Sequence, residues 1–313
     1  MIVQRCSFLS LFVVLAATVL AGSGQAALVV VVDDSFADND RAKTGTDDTN
    51  WYATNTTSAF ESPSLTNNQL RMATGTSGRG IHTVFTAQSL SNIGDKITAT
   101  YTFTTPSTIG ASTGSFRVGM FNPTATLAGV SQDLSVGSSS PNVDLNMPGY
   151  MVDMDVSPSS APNATSDFQF RKLDSASATG RLLGTTSGFV QVDSSGPDAG
   201  YSFAPNTTYT GLLSFELVAT GTQMTAILGS DTYTVIDDGT YSGAPVTDFG
   251  FFGVHVNSNV FGNINDASVP DSGIAFNNVR VEFSTTAVPE PSSLALLMLG
   301  CLGGVVRFVR RRK

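Results

Sequence analysis

Cysteine is almost missing from this chain. Its 313 residues hold two, Cys6 and Cys301, and each lies inside an apolar end segment. The long interior therefore has no disulfide, no thiolate zinc site and no cysteine nucleophile, and its stability must come from burial. Cys6 precedes most of the leading apolar run rather than ending it, which argues against a lipoprotein cleavage site. Charge is scarce too: Asp, Glu, Lys and Arg make up 13% of the residues, against roughly 25% in ordinary globular proteins. Thr, Ser, Asn and Gly fill the gap. Helical periodicity of useful length is absent between residues 28 and 286. Histidine occurs twice and tryptophan once.

The formal charge of −9 hides a split. Six bases sit at the ends: Arg5, Arg307, Arg310, Arg311, Arg312 and Lys313. Setting them aside with Glu290 leaves ten basic and 24 acidic residues, a charge of −14. A body this acidic repels phosphate backbones and excludes nucleic acid as a partner. It also keeps an exported protein soluble.

Residues 1–26 have three parts. Arg5 makes the start positive, Phe8 to Ala21 is an apolar run, and Gly24-Gln25-Ala26 offers small residues to a cleavage enzyme. This is the pattern of a secretory signal peptide, so a signal helix, export machinery and signal peptidase are expected. The mature chain is expected to begin near Ala27.

Residues 287–313 follow a different order. Val288-Pro289-Glu290-Pro291 comes first. An apolar stretch from Leu294 to Val306 follows, and Arg307, Arg310, Arg311, Arg312 and Lys313 close the chain. The stretch is marginal for the ~30 Å of bilayer hydrocarbon, though Phe308 and Val309 extend it while Arg307 snorkels. The basic end should stay cytoplasmic and stop transfer, leaving residues 27–286 outside, held by a single C-terminal transmembrane helix. The prolines keep the motif extended and accessible. Pro-Glu-Pro, a short apolar helix and an Arg-rich end, in that order, resemble the PEP-CTERM sorting domain of bacterial exported proteins. The resemblance implies recognition by an exosortase, a Cys-dependent membrane enzyme. It also implies transient anchoring in the inner membrane and delivery to the outer cell surface or an extracellular polysaccharide matrix.

The body alternates. Ile97, Ala99, Tyr101 and Phe103 interleave with Thr98, Thr100, Thr102 and Thr104, the signature of a half-buried strand with a polar outer face. Phe116, Val118 and Met120 alternate with polar or small residues, as do Leu213, Phe215 and Leu217. Further strands are expected at 69–73, 81–86, 150–156, 168–172, 224–228, 232–236, 249–256 and 274–283. The turn signals around Gly221 and Gly229 make a meander of 209–236. Ser-, Pro- and Gly-rich stretches at 135–149, 157–166 and 193–208 read as surface loops. The sum is one all-β domain over 27–286, an antiparallel β-sandwich of the jelly-roll kind. Three stretches resemble the concanavalin A-like (laminin-G-like) jelly roll. Asp34-Ser35-Phe36 through Trp51-Tyr52 resembles its opening strand and loop, the meander resembles its back-sheet hairpins, and Ile274 to Val281 resembles the last strand that pairs with the first.

Candidate chemistry is thin. Asp153 and Asp155 flank Met154 in a strand, so both carboxylates face one way. Laminarinase-like enzymes of this fold carry Glu-x-Asp-x-Glu on such a strand; here the stretch is Met151-Val152-Asp153-Met154-Asp155 and both glutamates are missing, and retaining glycosidases need carboxyl groups at about 5–5.5 Å. The pair is read as solvent-facing acids. His82 and His255 lie in alternating strands without a nucleophile elbow or metal spacing and are read as structural. Gly75 to Gly80 lacks the Lys-Ser/Thr end of a phosphate loop and is read as a turn. Asp33, Asp34, Asp38 and Asp40 cluster as candidate calcium ligands without a full EF-hand pattern. Trp51 and Tyr52, with Phe60, are candidates to stack on a sugar ring, against the alternative that they fill the core. The expectation is a non-enzymatic exported module, structural or carbohydrate-binding. The alternative is a glycoside hydrolase on the same scaffold.

Overall fold

The computed structural model describes residues 26–38, 41–42, 49–53, 60–65, 68–72, 78–107, 109, 114–123, 133, 147–156, 168–173, 183–184, 186, 188–192, 203–256, 261 and 273–286, with the backbone alone at 60–65 and 155–156. The expected signal helix and C-terminal helix lie outside these residues. Two units are distinguished, Leu28–Ser284 and a smaller one of the two ends. In the smaller unit, the Ala27 N–H donates to the Thr285 hydroxyl at 3.3 Å, and the Thr285 N–H donates to the Ala27 carbonyl at 2.9 Å.

The larger unit is all-β, with no helix among the described residues. Its strands are β1 (Leu28–Asp34), β2 (Tyr52–Ala53), β3 (Phe60–Leu65), β4 (Leu70–Met72), β5 (Arg79–Ser89), β6 (Lys96–Thr104), β7 (Gly114–Phe121), β8 (Gly149–Val156), β9 (Phe168–Leu173), β10 (Phe189–Gln191), β11 (Thr208–Val218), β12 (Gly221–Leu228), β13 (Asp231–Asp237), β14 (Asp248–Val256) and β15 (Ile274–Ser284). They form two antiparallel sheets. One runs β13-β12-β11-β6-β15-β4-β3, with β1 also paired to β15; the other runs β10-β9-β8-β7-β14-β5-β2.

The expected register of β6 holds. Ile97, Ala99, Tyr101 and Phe103 are buried, and the intervening threonines face out. Outward threonines pair across strands: Thr102 with Thr210 at 3.1 Å, Thr104 with Thr208 at 3.0 Å, and Thr225 with Thr234 at 3.0 Å. Such cross-strand pairs let a β-branched polar surface reinforce its own sheet. The expected meander is β11-β12-β13, and the last strand pairs with the first, Leu28 opposite Ser284 and Asp34 opposite Val279. The first strand, however, begins at Leu28, ahead of the Asp34 from which the opening was read.

Between the sheets lies an aromatic core. Phe215 stacks on Phe249 with centroids 4.7 Å apart and planes at 8°, and Phe103 meets Phe116 at 5.2 Å. Tyr101 lies over Gly211, its partner on β11, where a Cβ would come within 2.2 Å of the ring. One polar cluster interrupts this core. Lys172 of β9 points inward, its Nζ 2.8 Å from Asp237 Oδ2, and donates to the carbonyls of Gly243 (3.1 Å) and Ala244 (2.8 Å). The Tyr150 hydroxyl donates to Asp237 Oδ2 at 2.7 Å and accepts from the Val246 N–H at 2.7 Å. Burial, then the hydrogen bond and charge of Asp237, push the Tyr150 phenol far above its ordinary range. The cluster ties β8 and β9 of one sheet to β13 of the other and fixes the loop from β13 to β14.

Candidate functional site

The seven-stranded sheet is buried on both faces. Its inner face carries Phe116, Val118, Met120, Tyr150, Val152, Phe252 and Val254 into the main core. Its outer face carries a second, smaller cluster of Phe121, Met151, Leu173 and Phe251, covered by Met147 and Leu183. Glycines make room for that cover. A Cβ on Gly119 would lie 2.9 Å from Leu183 Cδ2, and one on Gly253 would lie 2.8 Å from Leu183 Cδ1.

Beside this cluster runs a row of polar side chains set by register. His255 of β14 lies opposite Arg117 of β7, Arg117 opposite Asp153 of β8, and Asp153 opposite Gln169 of β9. Asp153 is not a solvent-facing acid. It is 6% exposed, and both its oxygens are engaged: Oδ1 with Arg117 Nε at 3.0 Å and Oδ2 with Arg171 Nε at 3.4 Å. Arg117 also donates to the Leu183 carbonyl at 2.9 Å, so the same guanidinium holds the carboxylate and the cover. The side chain of Asp155 lies outside the described residues. His82 and His255 are buried. His82 stacks on Phe251 with centroids 4.9 Å apart, and Tyr52 lies against its ring at 5.5 Å.

At the rim, Arg41 grips Asp133 through two hydrogen bonds of 2.7 and 2.8 Å, and the Ala53 N–H donates to the same carboxylate at 2.9 Å. Burial alone would raise the Asp133 carboxyl. The Arg41 and Ala53 hydrogen bonds and the Arg41 charge override it and hold the group below its ordinary value. Burial and the Asp133 charge raise the half-buried Tyr52 phenol.

Trp51, Asp34 and Asp33 are each engaged within the sandwich. Trp51 is 1% exposed. Its Nε1 donates to Asp34 Oδ2 at 2.8 Å, and its ring packs on Phe36 and Phe252, leaving no face for a sugar ring. Asp34 also accepts the Phe36 N–H at 2.8 Å, closing a turn that puts Phe36 at φ 55°. Asp33 points to the opposite side of β1 and pairs with Arg280. Asp33 and Asp34 therefore do not converge on one ion. Asp38 is exposed and Asp40 lies outside the described residues. No group of three His, Cys, Asp or Glu side chains able to hold a metal occurs among the described residues. The side chain of Phe60, residues 75–77 of the Gly75–Gly80 stretch and the tail residues Val288 to Lys313 also lie outside them. No helix among the described residues is long and apolar enough to cross a membrane.

Arg117, Arg171, Arg41 and Asp133 were not singled out from sequence. The first two stand one strand to either side of Asp153, and no spacing along the chain announces that.

Residues 287–313 match the PEP-CTERM protein-sorting motif, which marks the chain as an exported protein. No curated protein matches the chain. Among solved structures, the chain is similar to peanut lectin, at 10% identity over 83% of this chain and 98% of that one, with a TM-score of 0.42. It is also similar to a Bacillus subtilis protein of unknown function with a galectin-like fold, at 9% identity over 82% and 97%, with a TM-score of 0.45. A third is the alginate lyase Aly36B, at 16% identity over 69% and 81%, with a TM-score of 0.32.

Proposed function

We propose that this chain is a non-catalytic module exported by a signal peptide and sorted by its C-terminal tail. An exosortase-like membrane enzyme reads Val288-Pro289-Glu290-Pro291 while the apolar stretch, with Arg307, Arg310, Arg311, Arg312 and Lys313 behind it, holds the chain in the inner membrane. The sandwich is then delivered to the cell surface or extracellular matrix, where it serves a structural or carbohydrate-binding role. The observation that carries this reading is the sorting motif at 287–313. The non-catalytic part is supported by Asp153, which is 6% exposed and paired with Arg117 and Arg171. Tyr52 is the remaining candidate for contact with a sugar.

In a host with the cognate enzyme, Glu290→Ala should leave intact chains in the membrane fraction, whereas the parent is released shortened. Equal tail retention in both, read by mass, would leave only a plain anchor. A glycan array run beside a polysaccharide-release assay separates the binding module from the glycoside-hydrolase alternative. Reducing-end release by the parent chain would overturn the non-catalytic reading.

A further inference from the structure

The described surface is mostly threonine, serine and acid, yet six large apolar side chains are exposed: Leu28, Val29, Val30, Ile93, Ile236 and Tyr241. All six lie at one end of the eight-stranded sheet, on its edge strands and in the adjoining loops. Ile236 lies opposite Gln223, Gln223 opposite Glu216, Glu216 opposite Lys96, Lys96 opposite Ser284, and Ser284 opposite Leu28, which is one row across one end of the eight-stranded sheet. Ile93 is in the loop entering β6, where the Gly94 N–H donates to the Leu217 carbonyl at 2.7 Å, beside the same row. Tyr241 is in the loop leaving β13 just past Asp237, and Val29 and Val30 follow Leu28 along the open edge of β1. The apolar side chains thus share the pole at which β15 ends, with Gln223, Glu216, Lys96 and Ser284 in the row between Ile236 and Leu28.

We propose that this pole is a membrane-facing surface, which seats on the lipid interface while the tail is held in the bilayer. The proposal rests on the anchoring reading above. The length of chain beyond β15 supplies the argument for lipid as the occupant. From Thr286 to Leu294, where the apolar stretch begins, there are eight residue steps, or at most ~29 Å fully extended at ~3.6 Å each. A nine-residue strand such as β6 is itself about 30 Å long. The leash is therefore no longer than the sandwich, and it leaves from the apolar pole. A domain on so short a leash turns the leashed end toward the membrane. Leu, Val, Ile and Tyr side chains gain there from leaving water, with Tyr241 suited to the interface by its polar tip. The acids at this pole are engaged within the protein. Asp238 accepts from the Thr240 N–H at 3.0 Å and its hydroxyl at 2.6 Å, Asp248 accepts from Ser89, and Glu216 pairs with Lys96 at 3.6 Å. Zwitterionic lipid suits this surface better than anionic lipid.

The test uses the full chain with Cys6→Ser and Cys301→Ser, reconstituted into phosphatidylcholine vesicles containing a doxyl-labelled lipid. A fluorophore is placed either at Ile93→Cys or at Ser230→Cys, in the β12–β13 turn at the other end of the same sheet. The expected result is quenching several-fold stronger at 93 than at 230, reduced to the level at 230 when Leu28→Asp and Ile236→Asp are added. Equal quenching at the two positions on vesicle-bound protein overturns the proposal and leaves the anchoring reading intact. Protein that floats free of the vesicles overturns both. Disulfide-linked pairs of unlabelled Ile93→Cys chains, without quenching in the labelled sample, would assign the pole to a second copy and likewise overturn it.

Discussion

Lys172 offers the sharpest test of how the two sheets are joined. Lys172→Met keeps most of the side-chain volume and removes the ammonium. Asp237 then remains 0% exposed, with the Tyr150 hydroxyl and the Gly239 N–H as its hydrogen-bond donors. The Gly243 and Ala244 carbonyls lose the donor they share. Removing one partner of a buried ion pair costs about 3–5 kcal/mol, because the other charge is left without compensation. Against a total stability of about 5–15 kcal/mol, that is a large share. Adding Asp237→Asn removes the stranded charge while an amide of similar shape stays in place. The double variant should therefore be more stable than the sum of the two losses, with a coupling of about 1–3 kcal/mol. Urea denaturation of the four chains at pH 7, fitted with a common slope, reads both quantities. A Lys172→Met loss under about 1 kcal/mol, or strict additivity, would show that the pair does not clamp the sheets.

Phe103→Asp should destabilise the domain far more than Thr102→Asp, since the first is buried and the second faces out; equal losses by thermal denaturation would mean that the register of β6 is wrong. Gly211→Ala should cost about 1–3 kcal/mol by driving Tyr101 from its seat, and a neutral result would show that the ring has room to move. The raised Tyr150 phenol sets an alkaline limit: stability is complete below about pH 10, where the unfolded chain keeps its phenol protonated, and falls above it by about 1.4 kcal/mol per pH unit. Tyr150→Phe should be less stable at pH 7 but flatter above pH 10, and an unchanged alkaline slope would place its origin elsewhere.

The parts of the fold legible in the sequence are those where one face meets water. β6 and β13 alternate because their outer neighbours are solvent and threonine. β14 reads as the unbroken run Phe249 to Val256 because both its faces are covered, one by the main core and one by the smaller cluster around Phe251. Its register was therefore invisible, and so was the second cluster. β3 holds Pro63, β2 is two residues long and β10 three, too little pattern for any period. The candidate site was less legible still. Asp153 was read from its own strand, but its character comes from Arg117 and Arg171 on the strands either side. Trp51 looked available as a lone aromatic beside a tyrosine, and only Asp34, 17 residues earlier, explains why its ring turns inward.

The position of β15 has a consequence for timing. It is the last strand among the described residues, yet it lies within the sheet, with β6 on one side and β1 and β4 on the other. In chain order β1, β4 and β6 all precede their common partner. The closing contacts join residues as distant as Leu28 and Ser284, and contacts that distant form slowly. Until Ile274 to Ser284 is present, the eight-stranded sheet lacks the strand that joins β1, β4 and β6. The stretch that completes the sheet is followed within a few residues by Val288-Pro289-Glu290-Pro291. The strand that closes the sheet and the matched sorting motif thus share the same final length of chain, and a polypeptide cut short before Ile274 has neither.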